Sequence, residues 1–556
     1  MDKKIILIVD GKQAEYLGPI SLLQLSRKWQ KVHRAPIVAA FVNHVLTSLD
    51  GELRMDSEVS FVDLKQSAGI SVYRRSLAFL LIVAANEVFP NARVTIEHSL
   101  SKGLYCEVYK GNELFSKNVT CLEGPMQKIV QEQRLIQRKD YPLDEAIDLF
   151  GKLGKQEQVK LLQQKNPATV QTYSCGKVIE FDSSILVPHT GYLQKFALQP
   201  WQSGVIIRHI LAEDPTVIPP FEAQPKLSDV FLEAENWGKI LNCRYVSDLN
   251  EHIKNRRQMD LIHVAEALQE KKIAQIADYI SDHATLVRLI LIAGPSSSGK
   301  TTFAQRLGIQ LRVNGVRPVP LSLDDYFVER DQTPLDETGK PDFEKLEAID
   351  LTLFNHHLTE LLEGKHVAVP TYNFITGKRE YNGKVLYLEP DQPLIVEGIH
   401  GLNERLTRSV AREQKIKIYI SALTQLSIDR HHPISTTDTR AIRRIVRDSN
   451  FRGHSALMSL KMWPSVRRGE EKNIFPFQEQ ADVMFNSALI YELAVLKKYA
   501  EPLLCEIKKD ETEYAEAQRL LNFLSYFVSI RDDEVPANSI LREFIGKSCF
   551  YKQKQH

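Results

Sequence analysis

Residues 294–302 read Gly294-Pro295-Ser296-Ser297-Ser298-Gly299-Lys300-Thr301-Thr302. The stretch fits G-x-x-x-x-G-K-[ST], a loop whose glycines let the backbone curl until successive N–H groups point at phosphate oxygens. Lys300 adds a charge at the β- and γ-phosphates, and the Thr301 hydroxyl is placed to ligate Mg²⁺. The apolar run 286–293 leads in as a strand, and a helical stretch over 303–313 leads out. Strand, glycine-rich turn and helix is the order the chemistry requires, because a helix N-terminus adds N–H donors and partial positive charge. The expectation is an α/β fold with a parallel sheet and its ligand at the carboxyl edge of the strands.

Three further segments follow in the order a phosphotransferase needs. Residues 320–327, Pro-Leu-Ser-Leu-Asp-Asp-Tyr-Phe, begin about 20 residues after Lys300, room for a helix and a return strand in a βαβ crossover. That spacing predicts Asp324 and Asp325 at the carboxyl end of the neighbouring parallel strand, where a carboxylate can act as general base or hold Mg²⁺ through water. Residues 393–398, Pro-Leu-Ile-Val-Glu-Gly, form an apolar strand ending in an acid, so Glu397 is a candidate Mg²⁺ ligand together with Thr301. From 440 to 468, seven arginines and Lys461 stand against a single acid, Asp448. Arg440, Arg443, Arg444 and Arg447 share a helix face at i, i+3, i+4, i+7. Arginines that close over transferring phosphates stabilise transition-state charge, so this cluster is a candidate polyanion site beside Lys300.

Composition sets the frame. At 556 residues the chain exceeds one hydrophobic core, and two to four domains are expected. With 71 basic and 70 acidic side chains the net charge is +1, so a polyanion site has to be a local patch. Six cysteines lie far apart with no C-x-x-C pair and read as reduced, mostly packed thiols. The longest apolar run, 77–85, is far short of the ~20 residues of a membrane span, and the N-terminus lacks a signal-peptide apolar region. A cytoplasmic protein with no membrane partner is the expectation.

Along the chain, residues 1–65 read as a small mixed module with strands at 5–9, 36–42 and 58–62 and a helix over 21–32. Block 66–230 opens with a helix over 73–88, carries alternation at 94–98 and 105–109, and closes in a proline-rich stretch. Residues 231–283 form a helical connector, 284–505 the nucleotide block, and 506–556 a C-terminal helical segment that packs back on an earlier domain.

The motif order GPSSSGKTT, SLDDYF, PTYNF with Lys378-Arg379, VEGIHGL and TRAIRRIVRDSNFRG resembles the uridine kinase/phosphoribulokinase family of P-loop kinases over roughly 285–505. The resemblance implies ATP and Mg²⁺ as cofactors and a nucleoside as acceptor. It makes Asp324 the base for the 5′-hydroxyl, puts Tyr372 and Phe374 on the nucleoside, and turns Arg440, Arg444, Arg447 and Arg452 to phosphates. By the same resemblance Arg444 and Arg447 join Lys300 and Asp324 as catalytic groups. Phe343, Glu344 and Arg379 complete the acceptor contacts. Two positions depart from the family: Glu344 replaces an aspartate, and Gly377 stands where a base-reading histidine is found. Residues 1–65 look like a TGS module, and 66–230 resemble the second additional domain of threonyl-tRNA synthetases. That domain's editing metal site is mostly lost, since Arg75, Phe79 and Ile185 replace ligands and only His189 remains.

The expected function is ATP-dependent phosphoryl transfer to a nucleoside 5′-hydroxyl. Two rivals stay open: a kinase for a sugar phosphate or other small alcohol, and an RNA- or ribosome-associated P-loop ATPase. The N-terminal half could bind nucleic acid through a local patch or mediate homo-oligomer formation, although the near-neutral charge counts against nucleic acid.

Overall fold

The computed structural model describes residues 3–111, 113–115, 119–336, 339–373 and 376–550. The first unit is a five-stranded sheet ordered Lys12–Gly18, Lys3–Val9, Ser57–Asp63, Ile37–Val42, Val45–Thr47, covered by the helix Leu22–Trp29. The alternation in Lys3–Val9 buries Ile5, Leu7 and Val9 and turns Ile6 and Ile8 outward. The hairpin partner Lys12–Gly18 turns only Ala14, Tyr16 and Gly18 inward and leaves Leu17 exposed, so its sequence carries no strong strand signal.

The helix that follows, Ser67–Val88, starts six residues earlier than periodicity predicts. Among the described residues it is the one helix long and apolar enough to cross a bilayer, yet 72% of its most apolar window is buried in the protein. It packs on the antiparallel strands Ala92–Leu100, Gly103–Lys110, Phe196–Trp201 and Gly204–His209. Three helices, Pro225–Ile240, Val246–Lys254 and Gln258–Asp282, then lead to the nucleotide block.

That block is built on a five-stranded, all-parallel sheet ordered Val319–Ser322, Leu394–Glu397, Leu289–Ala293, Lys415–Ser421, Val483–Asn486. Leu289–Ala293 is central and buried on both faces, which is why it reads as an unbroken apolar run. Ile290 and Ile292 meet Phe303 and Leu307 on one side, while Leu289 and Leu291 meet Tyr326, Phe354 and Leu358 on the other. The order corrects one expectation. Val319–Ser322 is not the immediate neighbour of the loop-bearing strand, because Leu394–Glu397 lies between them. Asp324 and Asp325 follow on a short 3₁₀ turn, Leu323–Tyr326, at the same carboxyl edge.

A hairpin, Ser427–Asp429 with His432–Pro433, leaves this block and docks on residues 96–182. The Ile96 amide donates to the Arg430 carbonyl at 3.0 Å, and Arg430 pairs with Glu157 at 2.8 Å. Beneath it His432 bridges Asp429 (2.7 Å) and Asp182 (3.5 Å), and His431 meets Glu180 (3.2 Å). The C-terminal helix Tyr514–Leu524 and the turn-rich segment behind it enter the core of the nucleotide block through Ile540, Leu541 and Phe544. Cys106, Cys175 and Cys243 are packed, whereas Cys121, Cys505 and Cys549 are exposed, so only half the thiols are core residues.

Candidate active site

The loop 294–299 joins the central strand to the helix Lys300–Val313. Gly294 has no room for a side chain, since a Cβ would lie 2.0 Å from the Ile420 carbonyl oxygen. Gly299 takes φ +85°, a left-handed conformation that glycine adopts without penalty. Lys300 Nζ donates to the carbonyls of Gly294 (3.0 Å) and Pro295 (3.2 Å) and braces the loop from within. Thr301 is half-buried at the helix start, while Ser297, Ser298 and Thr302 are buried. Two amides of the loop and helix start hold carboxylates of this chain. Ser296 N donates to Glu470 Oε1 at 3.0 Å, and Thr302 N donates to Glu543 Oε2 at 3.0 Å. These N–H groups donate to anionic oxygen, so the donor set fits a nucleotide phosphate.

Glu397 ends its strand in register with Ser322, whose hydroxyl donates to Glu397 Oε1 at 2.9 Å. Burial pushes the Glu397 carboxyl up to about 7, reinforced by the negative charge of Asp324 and countered by Lys300 and the Ser322 hydrogen bond. Asp324 and Lys300 therefore both lie within electrostatic reach of the Glu397 carboxyl. Asp325 has a different part: its Oδ1 accepts from the Tyr372 amide at 3.2 Å and ties that strand to the sheet edge.

On the acceptor side Tyr372 is buried against Phe327, ring centroids 5.6 Å apart, and Phe343 meets the same ring edge-on at 5.9 Å. Phe374 lies outside the described residues. Glu344 packs against Gly469, and its carboxyl is pushed up to about 7 by burial and by Glu470, against the pull of Arg444 and Lys300. Arg379 donates to Asp350 at 2.7 Å, in an ion pair with the residue that caps the helix Leu351–Leu362. At Gly377 the space a side chain would take is filled by Arg330, whose Nε lies 2.8 Å from the Cβ position. Arg330, which sequence reasoning missed, thus lies over the position where the family carries a histidine.

The arginine helix, Thr436–Phe451, is placed differently from an exposed basic lid. Arg440 and Arg443 are 1% and 0% exposed and are ion-paired with Glu470 and Glu492. Arg440 also donates to the Ser296 carbonyl (3.1 Å), Arg443 to those of Ser297 (3.3 Å) and Ser487 (2.9 Å), and Arg444 to the Ser296 hydroxyl (2.9 Å). Arg447 turns to Asp448 at 2.7 Å, and Arg452 reaches the same carboxylate at 3.7 Å. The helix therefore holds the loop in shape, with its charge matched by acids. The partner Glu470 sits two residues past the basic stretch; Glu492 and Glu543 are remote in sequence and carry no local signal.

In the N-terminal half, Arg75 lies 4.0 Å from Asp182, Phe79 is buried, and the His189 ring packs on Tyr192 at 4.6 Å. Among the described residues no group of three His, Cys, Asp or Glu side chains is arranged to hold a metal ion.

Residues 289–490 match the Phosphoribulokinase / Uridine kinase family. The chain is 25% identical over 274 residues to a threonine–tRNA ligase of Wolbachia sp. subsp. Drosophila simulans, covering 49% of this chain and 41% of the ligase. A ligase of Acidithiobacillus ferrooxidans is 28% identical over 195 residues, 35% of this chain and 30% of its own. The chain thus spans well under half the length of these curated relatives. A solved structure described as a possible uridine kinase from Bacillus stearothermophilus aligns with TM-score 0.25 and 21% identity, over 38% of this chain and 97% of that one. The C-terminal half of the chain thus carries a match to the phosphoribulokinase/uridine kinase family over 289–490, and its N-terminal half is similar to threonine–tRNA ligases.

Proposed function

We propose that the C-terminal half is an ATP- and Mg²⁺-dependent kinase acting on the hydroxyl of a small acceptor, with a nucleoside 5′-hydroxyl as first candidate. One observation carries the reading: at the carboxyl edge of the parallel sheet Glu397 is buried within electrostatic reach of both Asp324 and Lys300. The family match over 289–490 supports a phosphotransferase.

In this reading the amides of 294–302 and the Lys300 ammonium bind phosphate oxygens. Thr301 and Glu397 would hold Mg²⁺, which supplies charge neutralisation at the phosphates. Asp324 takes the proton of the acceptor hydroxyl, because Asp325 is already held by the Tyr372 amide. Tyr372 and Phe343 exclude water from the acceptor. Arg440 and Arg444 fix the loop through Ser296, so that positioning and charge stabilisation provide the acceleration.

A second reading rests on Arg330. A guanidinium lying over Gly377 suits an acceptor bearing phosphate or carboxylate, as a sugar phosphate does. An ADP-release assay with Mg-ATP against nucleosides, sugars and sugar phosphates, with product mass measured, separates the two. Turnover of a nucleoside supports the first reading, and turnover confined to anionic acceptors supports the second. Hydrolysis stimulated by tRNA or rRNA, without a phosphorylated small product, would replace both with an RNA-linked ATPase.

A further inference from the structure

Residues 532–546 pack against the phosphate-binding loop. They fold into a compact knob around Arg542, whose guanidinium donates to the carbonyls of Asp532 (2.8 Å), Val535, Pro536 (3.4 Å) and Gly546 (3.4 Å). A side chain that satisfies four carbonyls of its own segment gives that segment a shape independent of its surroundings. Four contacts dock the knob on the nucleotide block. The Ile540 methyl Cγ2 lies 2.5 Å from where a Gly299 Cβ would be, so it rests directly on the loop backbone. The Phe544 ring lies 4.9 Å from the Arg443 guanidinium, and Asn450 Nδ2 donates to the Phe544 carbonyl at 3.0 Å. Between them Glu543 Oε2 accepts the Thr302 amide at 3.0 Å.

We propose that this knob is an autoinhibitory strap and that the Glu543 carboxylate occupies the position of a nucleotide phosphate. The inference rests on the reading of 294–302 as the nucleotide site. One N–H cannot serve two anions, and a second negative group beside Glu543 and Glu397 meets like-charge repulsion, so nucleotide entry requires Glu543 to leave. The apparent affinity is then the intrinsic affinity reduced by the fraction of molecules in which the strap is open. The connector helix Gln258–Asp282 touches the same knob: Gln258 donates to Glu534 (3.4 Å), and Glu266 accepts from Tyr491, whose hydroxyl also meets Ser539 (3.5 Å). The strap is therefore held from the connector helix as well as from the nucleotide block.

The test uses the full chain and equilibrium binding of Mg-ATP. Glu543→Gln keeps size and hydrogen bonding while removing the charge, so it tests the strap without the folding risk of deleting buried residues. Loss of a charge-assisted hydrogen bond predicts roughly tenfold or greater tightening of nucleotide binding. Asp533→Asn, an exposed change in the same segment, should leave affinity unchanged, and Lys300→Ala should abolish binding in both backgrounds. Hydrogen exchange of the amides in 539–546 should rise when Mg-ATP is added to the unsubstituted protein. Equal affinity for Glu543→Gln and the unsubstituted chain, with Lys300→Ala silent, overturns the strap and leaves the nucleotide site standing. Absence of binding in every variant overturns both.

Discussion

Ser322 Oγ and Glu397 Oε1 are 2.9 Å apart across two parallel strands paired in register. The hydroxyl is the donor, so it stabilises the ionised carboxylate against burial, which pushes the same group up to about 7. Removing it in Ser322→Ala leaves a buried acid with less support. We expect Mg²⁺ dependence of turnover to shift several-fold toward higher metal concentration, with a stability change within about 1 kcal/mol. Glu397→Gln should lower kcat far more. A Ser322→Ala enzyme with unaltered Mg²⁺ dependence would show that Glu397 does not meet the metal.

Asp324 and Asp325 are adjacent in sequence and separated by their partners. Asp325 accepts the Tyr372 amide, so Asp325→Asn should act on acceptor KM through the Tyr372 strand. Asp324→Asn should instead cost roughly 10²–10⁴ in kcat with ATP affinity little changed, the usual worth of a general base. A loss of tenfold or less would transfer the role to Asp325 or Glu344.

How much of this was legible beforehand differs by element. The central strand, the loop and the strand ending at Glu397 were readable because burial on both faces leaves an unmistakable apolar run beside glycine-rich chemistry. The strand Lys12–Gly18 was not, because its inward positions are Ala14, Tyr16 and Gly18 while the apolar Leu17 faces out, and its place is set by a two-residue turn at Asp10-Gly11 with both φ positive. The arginine helix was located correctly, and its surroundings were not. Charge counted along 440–468 omits Glu470, Glu492 and Glu543, which reach the loop and its arginines through tertiary packing. A sequence window reports charge density, whereas ion pairing is decided by residues that the fold brings together.

Arg330 offers a sharp discriminator of acceptor class. If its guanidinium meets an anionic group above Gly377, Arg330→Ala should raise KM for a phosphorylated or carboxylated acceptor roughly tenfold or more, as loss of a charge-assisted contact does. Neutral nucleosides should be nearly unaffected. Equal effects on both acceptor classes would assign Arg330 to loop structure.

The last prediction concerns the joint between the halves. Burial lowers the proton affinity of His432, but Asp429 and Asp182 outweigh it and lift the imidazole to about 10, while the partner carboxyls are held below their ordinary range by His432. A histidine whose folded value is raised contributes stability that is fully present below its unfolded value near 6.5 and is lost as pH climbs toward 10. The two carboxylates contribute above about 3.8 and lose that contribution as pH falls. The docked hairpin should thus be most stable between about pH 4 and 6.5. Thermal unfolding of the unsubstituted chain should show its first transition dropping between pH 7 and 10, by roughly 2–4 °C per kcal/mol lost at this domain size. His432→Gln should flatten that slope while lowering the transition at pH 6. A slope that persists in the variant would place the titrating group elsewhere. Because Asp429 and His432 lie only a few residues before the arginine helix that grips Ser296 and Ser297, loosening this joint in His432→Gln should also weaken nucleotide binding at pH 6.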